Sequence, residues 1–183
     1  GRAARGGRDV SAVDLAVKRL SATIAAARET GVPVVFVRTE HGAALDSLAW
    51  RRRFDARLSE PNPVDNINCA TGSCGAEFYG VEPVDGEAVV TKHRYSAFSS
   101  PEFRDVVRKL GRPSLLMTGV ATEVCVENTM RAAVDLDLLA SVVSDCSATY
   151  SAEDHDAALA VLVRSFGPAF QSAQLIDHWA AAE

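Results

Sequence analysis

Apolar residues along the chain follow two patterns, a helical spacing and short continuous runs. The first helical face proceeds in steps of three and four residues through Val10, Val13, Val17, Leu20, Ile24 and Ala27. We expect Asp9 or Ser11 to cap this helix. Gly31 and Pro33 are expected to end it. The β-branched run at 32–38 follows at once and is typical of a strand buried on both faces of a sheet.

The same alternation continues to the end of the chain. Apolar spacing predicts further helices over 48–58, 101–110, 123–136 and 151–166, and a short final helix. Continuous apolar runs predict further strands over 88–92, 114–119, 139–144 and 171–176. The segment 59–86 is rich in proline and glycine, which predicts a long irregular excursion. Loops of this length are usually functional.

Alternating strands and helices predict the fold class. We expect one α/β domain over residues 1–183, with a doubly wound, mostly parallel sheet and helices on both of its faces, as in Rossmann-like folds. In such sheets the chemistry gathers at the carboxyl ends of the strands. Two segments begin where a predicted strand stops, 92–98 and 119–125. They are therefore the candidate site.

Composition limits the classes of binding partner and the cellular compartment that we expect. The chain is 48% hydrophobic and 23% charged, which is typical of a globular protein. A net charge of −5 without blocks of like charge argues against a nucleic acid or a membrane surface as partner. No apolar run is long enough to predict a membrane-spanning helix. The four cysteines, Cys69, Cys74, Cys125 and Cys146, are expected to be free thiols in the reducing cytoplasm.

Cys125 is the strongest candidate for chemistry. It lies in the first turn of a predicted helix that follows a buried strand. Unpaired N–H groups and the positive end of the helix dipole stabilise a thiolate there, and the same groups would hold an oxyanion. A small buried hydrophobic residue is the alternative interpretation.

Lys92 ends the predicted strand that precedes the first of the two segments. Its ammonium would either face the crevice and stabilise negative charge beside a thiol, or extend to water. His93 is expected on the opposite face of the strand, because side chains alternate, so a pair of Cys125 and His93 is the weaker dyad.

The two segments resemble a known family. Residues 92–98 read KHRYSAF and residues 119–129 read GVATEVCVENT. They are similar to the isochorismatase-like cysteine hydrolases, and within them to the ureidoacrylate, N-carbamoylsarcosine and biuret amidohydrolase branch. The resemblance implies Cys125 as nucleophile and Lys92 as the triad lysine. It also implies a cis peptide bond between Val120 and Ala121, with the Ala121 and Cys125 N–H groups directed at an oxyanion.

The resemblance also suggests residues that bind substrate. Tyr95, Phe98 and Val120 would line the pocket, although Tyr95 and Phe98 would equally form an aromatic cluster under the loop. Arg38 would meet a substrate carboxylate through two hydrogen bonds, or take part in a surface ion pair.

The sequence departs from the family pattern in two places. The family's catalytic aspartate ends a first, central strand, and no such segment occurs here, since Asp9 and Asp14 belong to the first helix. The chain opens at Gly1, so we expect that strand to be missing from this sequence. The metal-binding pattern of nicotinamidases is also incomplete. Glu40 and His41 are adjacent, and the later position at which that pattern has a histidine before a cysteine reads Asn68 and Cys69. We therefore expect His41 at the surface or in the pocket wall.

These observations lead to one expected function and two alternatives. We expect a metal-free and cofactor-free cysteine amidohydrolase that cleaves a C–N bond of a small carbamoyl, ureido or carboxamide substrate through a thioester. A metal-dependent, nicotinamidase-like amidase is the first alternative, and a non-catalytic binding or assembly member of the family is the second. The resemblance implies a homodimer or homotetramer.

Overall fold

The computed structural model of the chain describes residues 10–53 and 68–182. Its α-helices are α1 (Ser11–Glu29), α2 (Leu48–Arg52), α3 (Pro101–Leu110), α4 (Glu127–Val134), α5 (Ala152–Ser165) and α6 (Ser172–Ala180). Its strands are β1 (Val35–Thr39), β2 (Ala88–Lys92), β3 (Ser114–Val120), β4 (Leu139–Ala148) and β5 (Ala169–Phe170). A 3-10 turn (Ala97–Ser99) precedes α3, and a π-helical turn (Thr122–Val126) precedes α4.

The strands form two parallel sheets. Strands β1 and β2 pair in a register that sets Thr39 opposite Lys92, while β3, β4 and β5 form the second sheet in that order. Every pairing between these strands is parallel, as a chain that alternates strands and helices requires. The predicted α/β class is therefore confirmed.

Helices cover the second sheet on both faces. On β4, Val142 and Val143 are both fully buried, although adjacent side chains of a strand point in opposite directions. Val142 belongs to the core cluster that includes Met130 of α4 and Leu162 of α5. Val143 belongs to a separate cluster that Leu175 of α6 shares. Two layers of helices thus enclose the sheet, as the doubly wound prediction requires.

The end of the chain differs from the sequence prediction. Residues 171–176 were expected to form a strand, but β5 contains only Ala169 and Phe170, and α6 begins at Ser172. Two sets of contacts stabilise the early helix start. The Gln174 side chain accepts the Gln171 N–H at 2.8 Å, and the Asp145 carboxylate of β4 accepts hydrogen bonds from the Ser172 N–H at 2.8 Å and the Ser172 hydroxyl at 2.7 Å. A capping contact with a residue 27 positions away is invisible to local spacing.

Other element boundaries are also corrected. The N-cap of α1 is Val10, whose carbonyl oxygen accepts the Asp14 N–H, so Ser11 is the first helical residue and not the cap. The alternative cap, Asp9, lies outside the described residues, as do residues 54–58 of the helix predicted over 48–58. The helix predicted over 123–136 is divided into the π-helical turn and α4. None of the helices within the described ranges is both long and apolar enough to span a membrane.

Candidate active site

Strand β2 delivers Lys92 to the carboxyl end of the first sheet. The side chain is only 4% exposed, and its Nζ atom donates three hydrogen bonds. The acceptors are Thr39 Oγ1 at 2.8 Å, the Arg94 carbonyl oxygen at 2.8 Å and Cys125 Sγ at 3.3 Å. An ammonium group has three N–H donors, so these contacts fix its orientation completely. The structure therefore brings Lys92 and Cys125 together, and it directs Lys92 inward instead of to water.

The π-helical turn after β3 presents Cys125. The peptide bond between Val120 and Ala121, which the resemblance singles out, is cis. Thr122 is completely buried, and its hydroxyl pairs with His155 Nδ1 at 2.8 Å, which ties the start of the turn to α5. Cys125 itself is partly exposed. The nucleophile candidate thus sits on an anchored turn with one side accessible.

The backbone of this turn corrects one predicted oxyanion donor. The Cys125 N–H donates to the Ala121 carbonyl oxygen at 3.0 Å, and the Val124 and Val126 N–H groups share the same acceptor. The Cys125 N–H is therefore occupied within the turn and is not free for an oxyanion. The Ala121 N–H has no acceptor among residues 10–53 and 68–182, so it is the member of the predicted pair that stays available.

Strand alternation places Arg38 on the face of the first sheet opposite Lys92. Thr39 shares a face of the sheet with Lys92, so its neighbour Arg38 lies on the opposite face with Thr91. Arg38 Nε donates to Thr91 Oγ1 at 3.1 Å and forms an ion pair with Glu40 at 3.3 Å. The ion-pair alternative is therefore present in the structure, while a contact of Arg38 with a substrate carboxylate stays a prediction. His93 also turns away from Cys125, because its Nδ1 contacts the Glu40 carbonyl oxygen at 2.8 Å.

The aromatic residues divide between core and site. Phe98 is 3% exposed and packs edge-on against Phe103 in the main hydrophobic cluster, so the packing alternative describes it and the pocket wall does not. Tyr95 is partly exposed, and its ring lies 4.9 Å from that of Trp50. Val120 is 39% exposed directly before the cis bond. Tyr95 and Val120 are therefore placed where a ligand has access.

A cluster around Trp50 is the part of this region that the sequence did not reveal. Asp46 accepts from His41 Nδ1 at 2.9 Å and from Arg94 Nη1 at 3.2 Å. The Trp50 ring stacks on His41 and lies 4.7 Å from the Arg94 guanidinium carbon. His41 was predicted at the surface or in the pocket wall, and its 9% exposure shows that the surface alternative is wrong. In the sequence, the adjacency of His41 to Glu40 was the only sign of this cluster, because Asp46, the residue that His41 contacts, lies beyond a turn.

A cavity of about 510 Å³ opens beside Lys92. Its lining residues include Leu45, Lys92, His93, Arg94, Ser99 and Glu102. This volume is typical of small-molecule sites. Within the part of the chain that the structure describes, no group of three His, Cys, Asp or Glu side chains is arranged to hold a metal ion.

The three less exposed cysteines should differ in reactivity. Burial raises the pKa of the Cys69 thiol, and the nearby Cys125 raises it further while Lys92 opposes the change. Burial also raises the pKa of the Cys146 thiol. Iodoacetamide at neutral pH should therefore modify Cys125, which contacts the Lys92 ammonium, before Cys69 and Cys146. Peptide mass mapping over time measures the order, and faster labelling of Cys69 would contradict it.

Comparison with known proteins shows the family of this chain. The chain belongs to the isochorismatase family, because residues 3–174 match the Isochorismatase domain. The resemblance stated from residues 92–98 and 119–129 is thereby confirmed.

Two relatives and one solved structure illustrate the similarity. Ureidoacrylate amidohydrolase RutB of Methylobacterium radiotolerans is 32% identical over 183 residues, which covers 92% of this chain and 71% of the relative. The RutB protein of Pseudomonas savastanoi pv. phaseolicola is 31% identical over 149 residues, and the match covers 77% of this chain but only 61% of that relative. A cysteine hydrolase from Pseudomonas syringae pv. phaseolicola has a TM-score of 0.79 at 25% identity, covering 94% of this chain and 84% of its own.

Proposed function

We propose that this protein is a cysteine amidohydrolase that cleaves a C–N bond of a small carbamoyl, ureido or carboxamide compound. The observation that carries the proposal is the 3.3 Å contact between Lys92 Nζ and Cys125 Sγ at the carboxyl ends of the strands. An ammonium in contact with a thiol favours the thiolate, which is the nucleophilic form. The similarity to ureidoacrylate amidohydrolases supports this class of substrate.

The proposed reaction proceeds through a thioester. The Cys125 sulfur attacks the carbonyl carbon of the substrate, and the carbonyl electron pair moves onto the oxygen, where the Ala121 N–H stabilises the oxyanion. When the carbonyl re-forms, the C–N bond breaks and the amine or ammonia leaves with an added proton. Water then adds to the thioester, and the C–S bond breaks to return the thiolate.

Proton transfer in this scheme requires a carboxyl group. It protonates the leaving amine as an acid and then activates water as a base. The resemblance implies an aspartate for this role. Within residues 10–53 and 68–182, no carboxylate hydrogen-bonds to Cys125 or Lys92. In the proposal, Lys92 holds the sulfur and stabilises negative charge, and it does not itself transfer the proton.

The proposal includes a metal-free site within a homodimer or homotetramer. The His41 imidazole directs Nδ1 to Asp46, and Asp46 also pairs with Arg94, so this carboxylate is already balanced by a cation. Elemental analysis after purification without chelators should find less than one divalent ion per chain. Sedimentation velocity measures the mass of the assembly, which should be that of two or four chains.

An ammonia-release screen tests the proposed function. The substrates are a ureidoacrylate-type acid, an N-carbamoyl amino acid, biuret and nicotinamide, each with and without EDTA. We expect release from at least one of the first three, with no effect of EDTA. Release from nicotinamide alone with loss in EDTA would instead support the metal-dependent amidase. No release from any substrate, with Cys125 still alkylated by iodoacetamide, would favour a binding protein.

A further inference from the structure

One buried hydroxyl joins the two segments that carry Lys92 and Cys125. Thr129, in α4, is 7% exposed. Its Oγ1 donates to the Cys125 carbonyl oxygen at 2.6 Å and accepts the Ala97 N–H at 3.0 Å. Both bonds are short enough to be well formed, and a hydroxyl can donate and accept at the same time.

These two bonds lie on either side of the Lys92–Cys125 contact. Ala97 begins the 3-10 turn, in the same segment as Arg94, whose carbonyl oxygen accepts a hydrogen bond from Lys92 Nζ. The Cys125 carbonyl belongs to the turn that presents the thiol. The Thr129 hydroxyl therefore connects the backbone that holds the ammonium to the backbone that holds the sulfur.

We propose that Thr129 is a positioning residue that sets the separation of Lys92 and Cys125. Without the hydroxyl, the 3-10 turn loses its hydrogen bond to α4, so the segment that holds the Lys92 ammonium through the Arg94 carbonyl is less constrained relative to Cys125. A change of that separation weakens the stabilisation of the thiolate, because the attraction between opposite charges falls as they move apart. The turnover part of this inference rests on the proposed function, whereas the effect on thiol reactivity does not.

Thr23 offers a matched control. Its hydroxyl donates to the Arg19 carbonyl oxygen four residues earlier at 2.9 Å, just as Thr129 donates to Cys125. It is also buried, at 5% exposure, and its second contact is Cys146 Sγ at 3.4 Å. Threonines in helices often form this local bond. What distinguishes Thr129 is the second bond, to Ala97 on the segment that carries Lys92.

The test compares Thr129→Val, Thr129→Ser and Thr23→Val. Valine keeps the shape and removes the hydroxyl, so Thr129→Val should lower the iodoacetamide rate of Cys125 and kcat about tenfold each, with KM changed less than about twofold. Thr129→Ser keeps the hydroxyl and should restore both rates to within about threefold of the unaltered protein. Thr23→Val should lower the melting temperature as Thr129→Val does but leave both rates unchanged.

Three outcomes would overturn the proposal. They are an unchanged Cys125 alkylation rate in Thr129→Val, a loss in Thr129→Ser as large as in Thr129→Val, and an equal loss in Thr23→Val. If Thr129→Val does not fold, Thr129→Ala removes the same hydroxyl without added bulk and decides the question by the same measurements. If the unaltered protein releases no ammonia, the proposed function fails, and the alkylation rates alone decide the role of Thr129.

Discussion

Replacing Cys125 by alanine should abolish turnover while the protein stays folded. We expect kcat to fall by about 10⁴-fold or more, because removal of a covalent nucleophile leaves only binding and backbone hydrogen bonds to act on the substrate. The side chain is partly exposed, so its truncation should change the free energy of unfolding by less than about 1 kcal/mol. Ammonia release under saturating substrate and a thermal melt measure the two quantities.

Cys74→Ala is the control for this variant, because Cys74 is exposed and is not one of the three acceptors of Lys92. It should keep the full rate. Cys125→Ser separates nucleophilicity from shape, since a hydroxyl beside Lys92 is far less ionised than a thiol, and it should be nearly as inactive as alanine. Ammonia release by Cys125→Ala at more than a tenth of the normal rate would exclude the thioester mechanism.

The sequence predicted most of the fold because most elements follow local spacing. The continuous apolar runs at β1 to β4 and the apolar faces of α1, α3 and α5 are encoded in neighbouring residues. The strand predicted at the end of the chain was wrong because contacts beyond local apolar spacing determine the structure there. Asp145 on β4 binds Ser172, the first residue of α6, so a tertiary contact acts together with the local Gln171–Gln174 bond to make these residues helical.

The same distinction explains the candidate site. Lys92 and Cys125 were predictable because Lys92 ends β2 and Cys125 lies in the turn that follows β3. Parallel strands bring their carboxyl ends to the same edge of a sheet. Alternation also predicted that His93 turns away. It would also have placed Arg38 on the face opposite Lys92, but only once the register that sets Thr39 opposite Lys92 was known.

Contacts that span long separations were not predictable. Thr39 and Lys92 are 53 positions apart, and Arg94 and Asp46 are 48 apart. Thr129 lies close to Cys125 in sequence, yet the bond that gives it significance comes from Ala97, 32 positions away. The residues that carry the chemistry therefore stand in a recognisable pattern, while the residues that hold them in place are set by tertiary packing.

Replacing Lys92 by methionine should cause the second-largest loss. We expect kcat to fall about 10²- to 10³-fold and the alkylation rate of Cys125 about tenfold, because the sulfur loses the cation in direct contact with it. Stability should change by less than about 2 kcal/mol, since relief of a desolvated ammonium offsets the loss of its bonds to Thr39 and Arg94.

Lys92→Arg distinguishes a positioned ammonium from positive charge alone. The three acceptors, Thr39 Oγ1, the Arg94 carbonyl oxygen and Cys125 Sγ, surround one nitrogen atom at 2.8 to 3.3 Å. A planar guanidinium is larger and cannot direct three N–H groups from one atom, so arginine should recover less than about a tenth of the activity. Lys109→Met, on the exposed end of α3, is the matched control and should keep the full rate. Full activity in Lys92→Arg would mean that charge suffices, and full activity in Lys92→Met would remove Lys92 from the mechanism.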